Sequence, residues 1–468
     1  MTGILIIIYN RGKTMHVVLL SGGSGKRLWP LSNELRSKQY VKCIREEKGN
    51  SICSMVQRVW KQIDAAHLGE KSIITASTGQ VEIIRSQLGN VNIAVEPERR
   101  DTFPAVVLSC AYIKDVLGAE DDERVCFIPV DPYTDNTYFE TLKHLEKISV
   151  SENADVVLMG VIPNEVSTKY GYIIPKLCGK GYYYEVEKFK EKPTIYEAES
   201  LVRNNALWNC GVFCVSIKKI LSIASDFLQD VTYRNLYSNY SLLPNISFDY
   251  QVVEKAEKVF VVPFNGCWKD LGTWNSLSEQ METDGLGNCI LEDNENTNVI
   301  NELDIPTVVL GTKNVMVVAS FDGILVADKE HCENLKDIIN PLKLQPKYEE
   351  RRWGTLKTLD FSINEDGFMM LRKIKIFADM SSSYHYHKER QELIAVIRGR
   401  GEIIIEGVTI SLYQGVSITI PRGKKHAIRA YDDLEYMETH VGRKIGDEDI
   451  NRITFNWNEI MRLENGDM

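Results

Sequence analysis

The sequence predicts an α/β protein of several parts: a doubly wound parallel-sheet domain, a short unit of small β-coils, and a C-terminal β-barrel. Three observations predict it. The apolar run Val17-Val18-Leu19-Leu20 breaks straight into Ser21-Gly22-Gly23-Ser24-Gly25, as a buried strand does when it feeds an anion-binding loop. Strand and helix patterns then alternate along the first half of the chain. From about Asp284 short Val/Ile runs between Gly and Asn turns replace them, and from Phe368 onward Gly turns separate alternating strand patterns.

The 468 residues exceed what one compact core holds, so two or three domains are expected. A hydrophobic content of 44% and a charged content of 26% are those of an ordinary soluble chain. The net charge of −10 argues against nucleic acid as a partner but leaves room for a local Arg/Lys pocket that takes anionic small molecules. The 10 cysteines include no Cys-x-x-Cys pair, which reads as reduced thiols in a cytoplasmic protein. Residues 1–14 carry the run Ile4-Leu5-Ile6-Ile7-Ile8, too short to span a membrane; they are expected to be an N-terminal extension before Met15. No membrane partner is expected.

The glycine loop is not either of the two commonest phosphate loops. A Walker A loop needs glycine five positions before Gly25, where Leu20 stands, and Ser or Thr after Gly25-Lys26, where Arg27 stands. A dinucleotide fingerprint starting at Gly23 would need its third glycine at Leu28. Glycines still let backbone amides close around a phosphate, and Arg27 and Lys38 supply charge. Beyond the loop, strands are expected over 72–75, 92–95, 125–129, 156–160 and 212–215, and helices over 52–63, 105–117 and 137–148. Ligands in such sheets lie past the carboxyl ends of strands. Glu96, Arg99 and Thr102 follow one such strand, and Asp131 directly follows another. Short strands over 307–310, 315–318 and 324–327 form the β-coil unit, and 336–347, with two prolines, reads as a linker.

The full string Ser21 to Ser32, with Trp29-Pro30-Leu31-Ser32 and the later Ser37-Lys38-Gln39, resembles the signature of sugar-phosphate nucleotidylyltransferases. Among these it is most similar to the long bacterial mannose-1-phosphate guanylyltransferases that carry a C-terminal mannose-6-phosphate isomerase domain. The resemblance covers about 15–456 and is densest in the first 275 residues. It implies a Rossmann-like nucleotidylyltransferase domain over 15–283, a short left-handed β-helix-like unit over 284–335, and a cupin β-barrel over 348–468 after the linker. It also implies the site. Ser21, Gly22, Gly23, Ser24, Gly25, Lys26 and Arg27 would hold the triphosphate of GTP, and Glu96, Arg99 and Thr102 would lie near its base. Asp131 and Asp270, the latter in Trp268-Lys269-Asp270-Leu271-Gly272, would hold Mg2+. Gly160, Tyr170, Gly171, Glu191, Lys192 and Asn209 would bind the sugar 1-phosphate. Arg27, Lys38, Asp131 and Asp270 would be the catalytic set for attack of a sugar-phosphate oxygen on the α-phosphorus, a reaction that rests on positioning and charge neutralisation.

The strings His385-Tyr386-His387-Lys388-Glu389-Arg390-Gln391-Glu392, with Gly399 beyond, and Gly415 to His426 fit the two cupin motifs. Period two puts His385 and His387 on one strand face, and Glu392 and His426 complete a set suited to Zn, Co, Mn, Ni or Fe. The resemblance implies that this barrel isomerises a hexose 6-phosphate through an enediol. The family's histidine after the first aspartate is replaced by Pro132, its asparagine after the second cupin motif is absent near Ala430, and its closing Tyr-Gly-Arg is missing from Phe455-Asn456-Trp457. Two alternatives stay open: a nucleotidylyltransferase for another sugar 1-phosphate or nucleoside triphosphate with a non-isomerase cupin, and a non-catalytic nucleotide-sugar sensor. A homo-oligomer is compatible with either.

Overall fold

The computed structural model describes residues 15–22, 26–45, 51–176, 181–281, 283–342, 344–365, 367–443 and 447–465. The expected extension over 1–14 and the loop residues Gly23, Ser24 and Gly25 lie outside the described residues, as does the side chain of Lys26. The chain divides into two compact units. One comprises the described residues among 1–24, 39–81 and 90–281, and the other those among 25–38, 82–89 and 282–468.

The first unit is built on a nine-stranded sheet. Its order runs Asn92–Glu96, Ser72–Ser77, His16–Leu20, Arg124–Pro129, Leu207–Ser216, Val156–Val161, Val259–Phe264, Tyr184–Lys190, Tyr172–Pro175. The first four strands are mutually parallel. The fully parallel sheet expected from the sequence is corrected here: Leu207–Ser216 runs antiparallel between Arg124–Pro129 and Val156–Val161, and Tyr184–Lys190 pairs antiparallel on both sides. A run such as Val212-Phe213-Cys214-Val215 is apolar because both faces are covered, and that holds for either strand direction. Val18, Ile73, Phe127, Leu158, Phe213 and Val261 meet the helix Thr102–Asp115, which is buried on nearly every face, in one core. Burying each such side chain contributes about 1.5–3 kcal/mol.

Helix starts follow local caps more than periodicity. The helix expected over 52–63 begins only at Met55, because Ser54 accepts from the Gln57 amide while the Gln57 side chain accepts from the Ser54 amide. Ile52–Ser54 instead pairs antiparallel with Lys42–Arg45. The helix expected over 105–117 spans Thr102–Asp115, started by Asp101, whose side chain accepts from the Thr102 amide.

In the second unit, parallel ladders pair Cys289 with Thr307 and Asn298 with Met316. Both offsets are 18 residues (307 − 289 and 316 − 298), which is one turn of a coil stacked on the next around Val299, Val309 and Val317. The stretch read as a linker is partly helical: Leu335–Ile339 forms a helix and Asn340–Leu342 a 3-10 turn, because Leu335 and Ile339 are buried. Pro341 lies in that 3-10 turn, just past the helix and within the stretch expected to be a linker. Beyond it, two antiparallel sheets of six and five strands enclose Ile374, Ile394, Ile403, Ile420, Ile428 and Tyr436, the barrel expected from the Gly-separated strand patterns.

The described segment 26–38 belongs to this second unit and is held by its residues. Pro30 O accepts from Ser320 Oγ at 2.8 Å, and Asn33 Nδ2 donates to Asp322 Oδ2 at 2.6 Å. Gly323 leaves room for Trp29, since a Cβ there would lie 2.4 Å from the indole. Arg36 is buried and donates both terminal nitrogens to Glu302, at 3.0 and 2.8 Å.

Candidate functional sites

In the first unit the strand Arg124–Pro129 ends at the loop that carries Asp131, and Pro132–Thr134 then pairs antiparallel with Trp268–Asp270. In that register Asp270 stands opposite Pro132, one residue from Asp131. Two carboxylates far apart in sequence thus reach neighbouring rungs, both half-buried. The Asp270 carboxylate oxygens lie 3.1 and 3.2 Å from where a Cβ on Gly272 would be, so they are folded against glycine backbone. A pair of carboxylates is the protein donor set that Mg2+ takes beside phosphate and water oxygens, and the chemistry of these two residues fits it.

The strand His16–Leu20 ends in Ser21, which is buried. Its Oγ lies 2.5 Å from the Tyr40 hydroxyl, and Gln39 Nε2 donates to its carbonyl at 2.8 Å, so the entry to the glycine loop is fixed from below. Gly22 is exposed, and nothing lies within 4 Å of a Cβ placed on it. Arg27 is exposed, and Lys38 opens the 3-10 turn Lys38–Tyr40. Of the residues expected near the base, Arg99 is exposed. Glu96 is buried and accepts from the Tyr240 hydroxyl at 2.8 Å, and burial raises its pKa. Thr102 Oγ1 accepts from the Phe248 amide at 2.8 Å.

The sugar-side residues come together more completely. Gly160 is packed between Leu207 and Val261, and a Cβ there would lie 2.7 Å from Leu207. Asn209 stands opposite Gly160 in the register, and its amide donates to Gly171 O at 2.8 Å. Glu191 is seated against Gly171, with Oε2 only 2.5 Å from the Cβ position, and Lys192 Nζ lies 3.3 Å from Glu191 Oε1. Tyr170 packs on Trp208 and Trp268 with ring centroids 4.9 and 5.3 Å apart. Gly171→Ala is expected to displace Glu191 and raise the KM for the sugar phosphate about tenfold with little change in the KM for nucleotide, measured by initial-rate kinetics.

Asp249 was not singled out from the sequence. Its Oδ1 accepts from Asn209 Nδ2 at 3.0 Å, and burial, with Glu191 nearby, pushes its pKa up to about 6. Because the folded-state value exceeds the unfolded one, the folded chain holds the extra proton between about pH 4 and 6. Stability from this group is therefore full at the acid end and declines as pH rises through that window. Asp249→Asn is expected to flatten this decline in denaturant titrations run from pH 4 to 7.

In the barrel, His385, His387, Glu392 and His426 place one ligand atom each within 4.8 Å of one another. Glu392 Oε1 lies 2.9 Å from His387 Nε2, and Oε2 lies 3.1 Å from His426 Nε2. Each histidine is oriented through its other nitrogen: His385 Nδ1 donates to Ser383 O at 2.8 Å, His387 Nδ1 to Asp449 O at 3.0 Å, and His426 Nδ1 to Lys424 O at 3.0 Å. A carbonyl can only accept, so all three Nδ1 carry a proton, and Nε2 is on each ring the nitrogen left to face Glu392 or an ion. Burial holds His385 well below its usual pKa. Burial opposes ionisation of Glu392, but its bonds to His387 and His426 outweigh that and hold it well below the usual carboxylate range. The donor set fits a divalent transition metal. Arg390, Asp449, Glu438 and His440, which also surround this centre, were not found from the sequence. The Glu438-Thr439-His440 alternation on a strand was the available signal.

A family model described as nucleotidyl transferase matches residues 16–285, and a cupin domain model matches 378–440. The mannose-1-phosphate guanylyltransferase of Klebsiella pneumoniae is 26% identical over 480 residues, covering 93% of this chain and 98% of that protein. The xanthan biosynthesis protein XanB of Xanthomonas campestris pv. campestris (strain B100) is 28% identical over 472 residues, covering 93% and 97%. Among solved structures, the mannose-1-phosphate geranyltransferase of Thermus thermophilus is 28% identical with a TM-score of 0.60, covering 70% of this chain and 99% of that one. The chain belongs to the nucleotidyl transferase family and carries a cupin domain toward its C-terminal end.

Proposed function

We propose that the chain transfers a guanylyl group from GTP to mannose 1-phosphate, giving GDP-mannose and pyrophosphate. The observation that supports this most is likeness to a mannose-1-phosphate guanylyltransferase along 93% of the chain, joined to the register that sets Asp270 opposite Pro132, one residue from Asp131. A phosphate oxygen of the sugar attacks the α-phosphorus, and the bond to the β-phosphate oxygen breaks. Amides of the glycine loop, with Arg27, bind the triphosphate, and Lys38 faces the charge that builds on the α-phosphate. Glu191 and Asn209 hold sugar hydroxyls, and Lys192 takes the sugar phosphate. Mg2+ held by Asp131 and Asp270 would supply charge neutralisation on the phosphate oxygens. The substrates, and nine described cysteines that are all free, suit the cytoplasm. Among the described residues no helix is long and apolar enough to cross a membrane.

For the barrel we propose that His385, His387, Glu392 and His426 hold a divalent transition metal and that the site isomerises a hexose 6-phosphate. Purified protein offered each nucleoside triphosphate with a panel of sugar 1-phosphates, while pyrophosphate is followed, tests the first activity. Absence of turnover with GTP and mannose 1-phosphate would sink it. The same panel decides the base; of the residues expected near it, Glu96 is turned inward to Tyr240 and Arg99 is exposed. Conversion of mannose 6-phosphate to fructose 6-phosphate tests the second activity.

A further inference from the structure

The barrel interior holds more metal-ligating groups than one ion uses. His440 stands directly opposite Glu392 in the antiparallel ladder between Arg390–Arg398 and Leu434–Gly442. Glu438 lies two residues earlier on the same strand, so all three project from one face, into the interior. His440 Nε2 is 2.7 Å from Glu438 Oε2 and 3.2 Å from Glu392 Oε1. The three donor atoms lie within 4.8 Å of one another, and the three residues are only 2–8% exposed.

We propose that the cupin holds a second divalent transition-metal ion, bound by Glu438 and His440 and bridged through Glu392 to the ion of the three-histidine set. Two observations beyond proximity carry this. The Glu392 carboxylate already faces both sets: Oε2 meets His426, whereas Oε1 meets both His387 and His440, the arrangement a bridging carboxylate adopts. Glu438, moreover, is a buried carboxylate whose ion-pair contact among the described residues is His440. Arg390, the buried cation of this region, donates to Glu392. Arg372 stands opposite Glu438 in the register, yet among the described residues no ion pair joins them, and its Nε has no hydrogen-bond partner. A carboxylate out of water needs a cation, and an ion among Oε2, Nε2 and Oε1 supplies one while leaving positions open for substrate oxygens. Ions that share a carboxylate sit about 3.5–4 Å apart and can hold two oxygens of one substrate. The proposal rests on reading the barrel as a metal centre.

The test is a metal count on the full chain. Protein stripped with chelator is reloaded with Co2+ in excess Mg2+, which satisfies the oxygen-only site, then dialysed, counted by mass spectrometry and examined by electron paramagnetic resonance. Two Co2+ per chain with a spin-coupled signal are expected, falling to one with an uncoupled signal in Glu438→Gln. One uncoupled equivalent in the unaltered protein would overturn the second ion while leaving the first. A count of zero would remove the barrel as a metal centre altogether. Should Glu438→Gln fail to fold, the count and coupling in the unaltered protein decide the matter alone.

Discussion

Asp270→Asn is expected to slow pyrophosphate release about a thousandfold or more while leaving the fold intact. Asparagine has the shape of aspartate, so it can still lie against Gly272 and keep the Trp268–Asp270 strand paired with Pro132–Thr134. What it loses is the charge. An amide oxygen is a poor ligand for a hard divalent cation and offers no compensation for the positive ion, and electrostatic groups aimed at a transferring phosphoryl are among the largest single contributors to such catalysis. The loss is expected in kcat, with the KM for the sugar phosphate little changed, since Glu191, Lys192 and Asn209 are untouched. Asp131→Asn is expected to behave alike. Unchanged release in Asp270→Asn, with circular dichroism matching the parent, would refute the role given to the pair.

Arg36→Ala carries the second large effect, on stability. The guanidinium is buried, forks onto both oxygens of Glu302, lies 3.8 Å from Glu350 and stacks over Tyr348 with its carbon 5.1 Å from the ring centroid. These contacts raise its pKa although burial acts the other way, so it stays charged throughout. Removing the arginine takes that cation away from the buried Glu350 carboxylate, and breaking such a pair costs about 3–5 kcal/mol. By calorimetry the transition of the C-terminal unit should fall by about 10 °C. Arg36→Lys keeps the charge but not the planar fork, and is expected to recover only part of the loss. Pyrophosphate release should fall as well, because Lys38 lies two residues along the same clamped loop. A transition unmoved in Arg36→Ala would mean that the fork contributes nothing.

Where an interaction is local in sequence, it was legible. The cupin histidines and the Glu191-Lys192 pair lie within a few residues of a strand end, and period two sufficed to place His385 and His387 on one face. Strand direction was not legible, because Leu207–Ser216 is apolar for reasons that hold whichever way it runs. Register was equally hidden. Glu392 and His440 meet only through a ladder between distant strands, and no spacing in the sequence announces it. Glu96 shows a third limit: a carboxylate after a strand looks available for ligand until Tyr240, from a distant segment, is found bonded to it.

The clamped loop also bears on how this chain can be divided. A cut near residue 281 looks natural by composition, since the α/β texture ends there. Yet the stretch Gly25–Lys38, which lies near the start of the chain, packs with the later unit through Ser320, Asp322, Gly323 and Glu302. A gene cut at that point would yield a first polypeptide whose Arg27 and Lys38 had lost the residues that anchor their loop, and a second that left a vacant seat for them. Each compact unit draws on separated stretches of the sequence, so this protein cannot be shuffled as interchangeable modules without taking the loop's seat along.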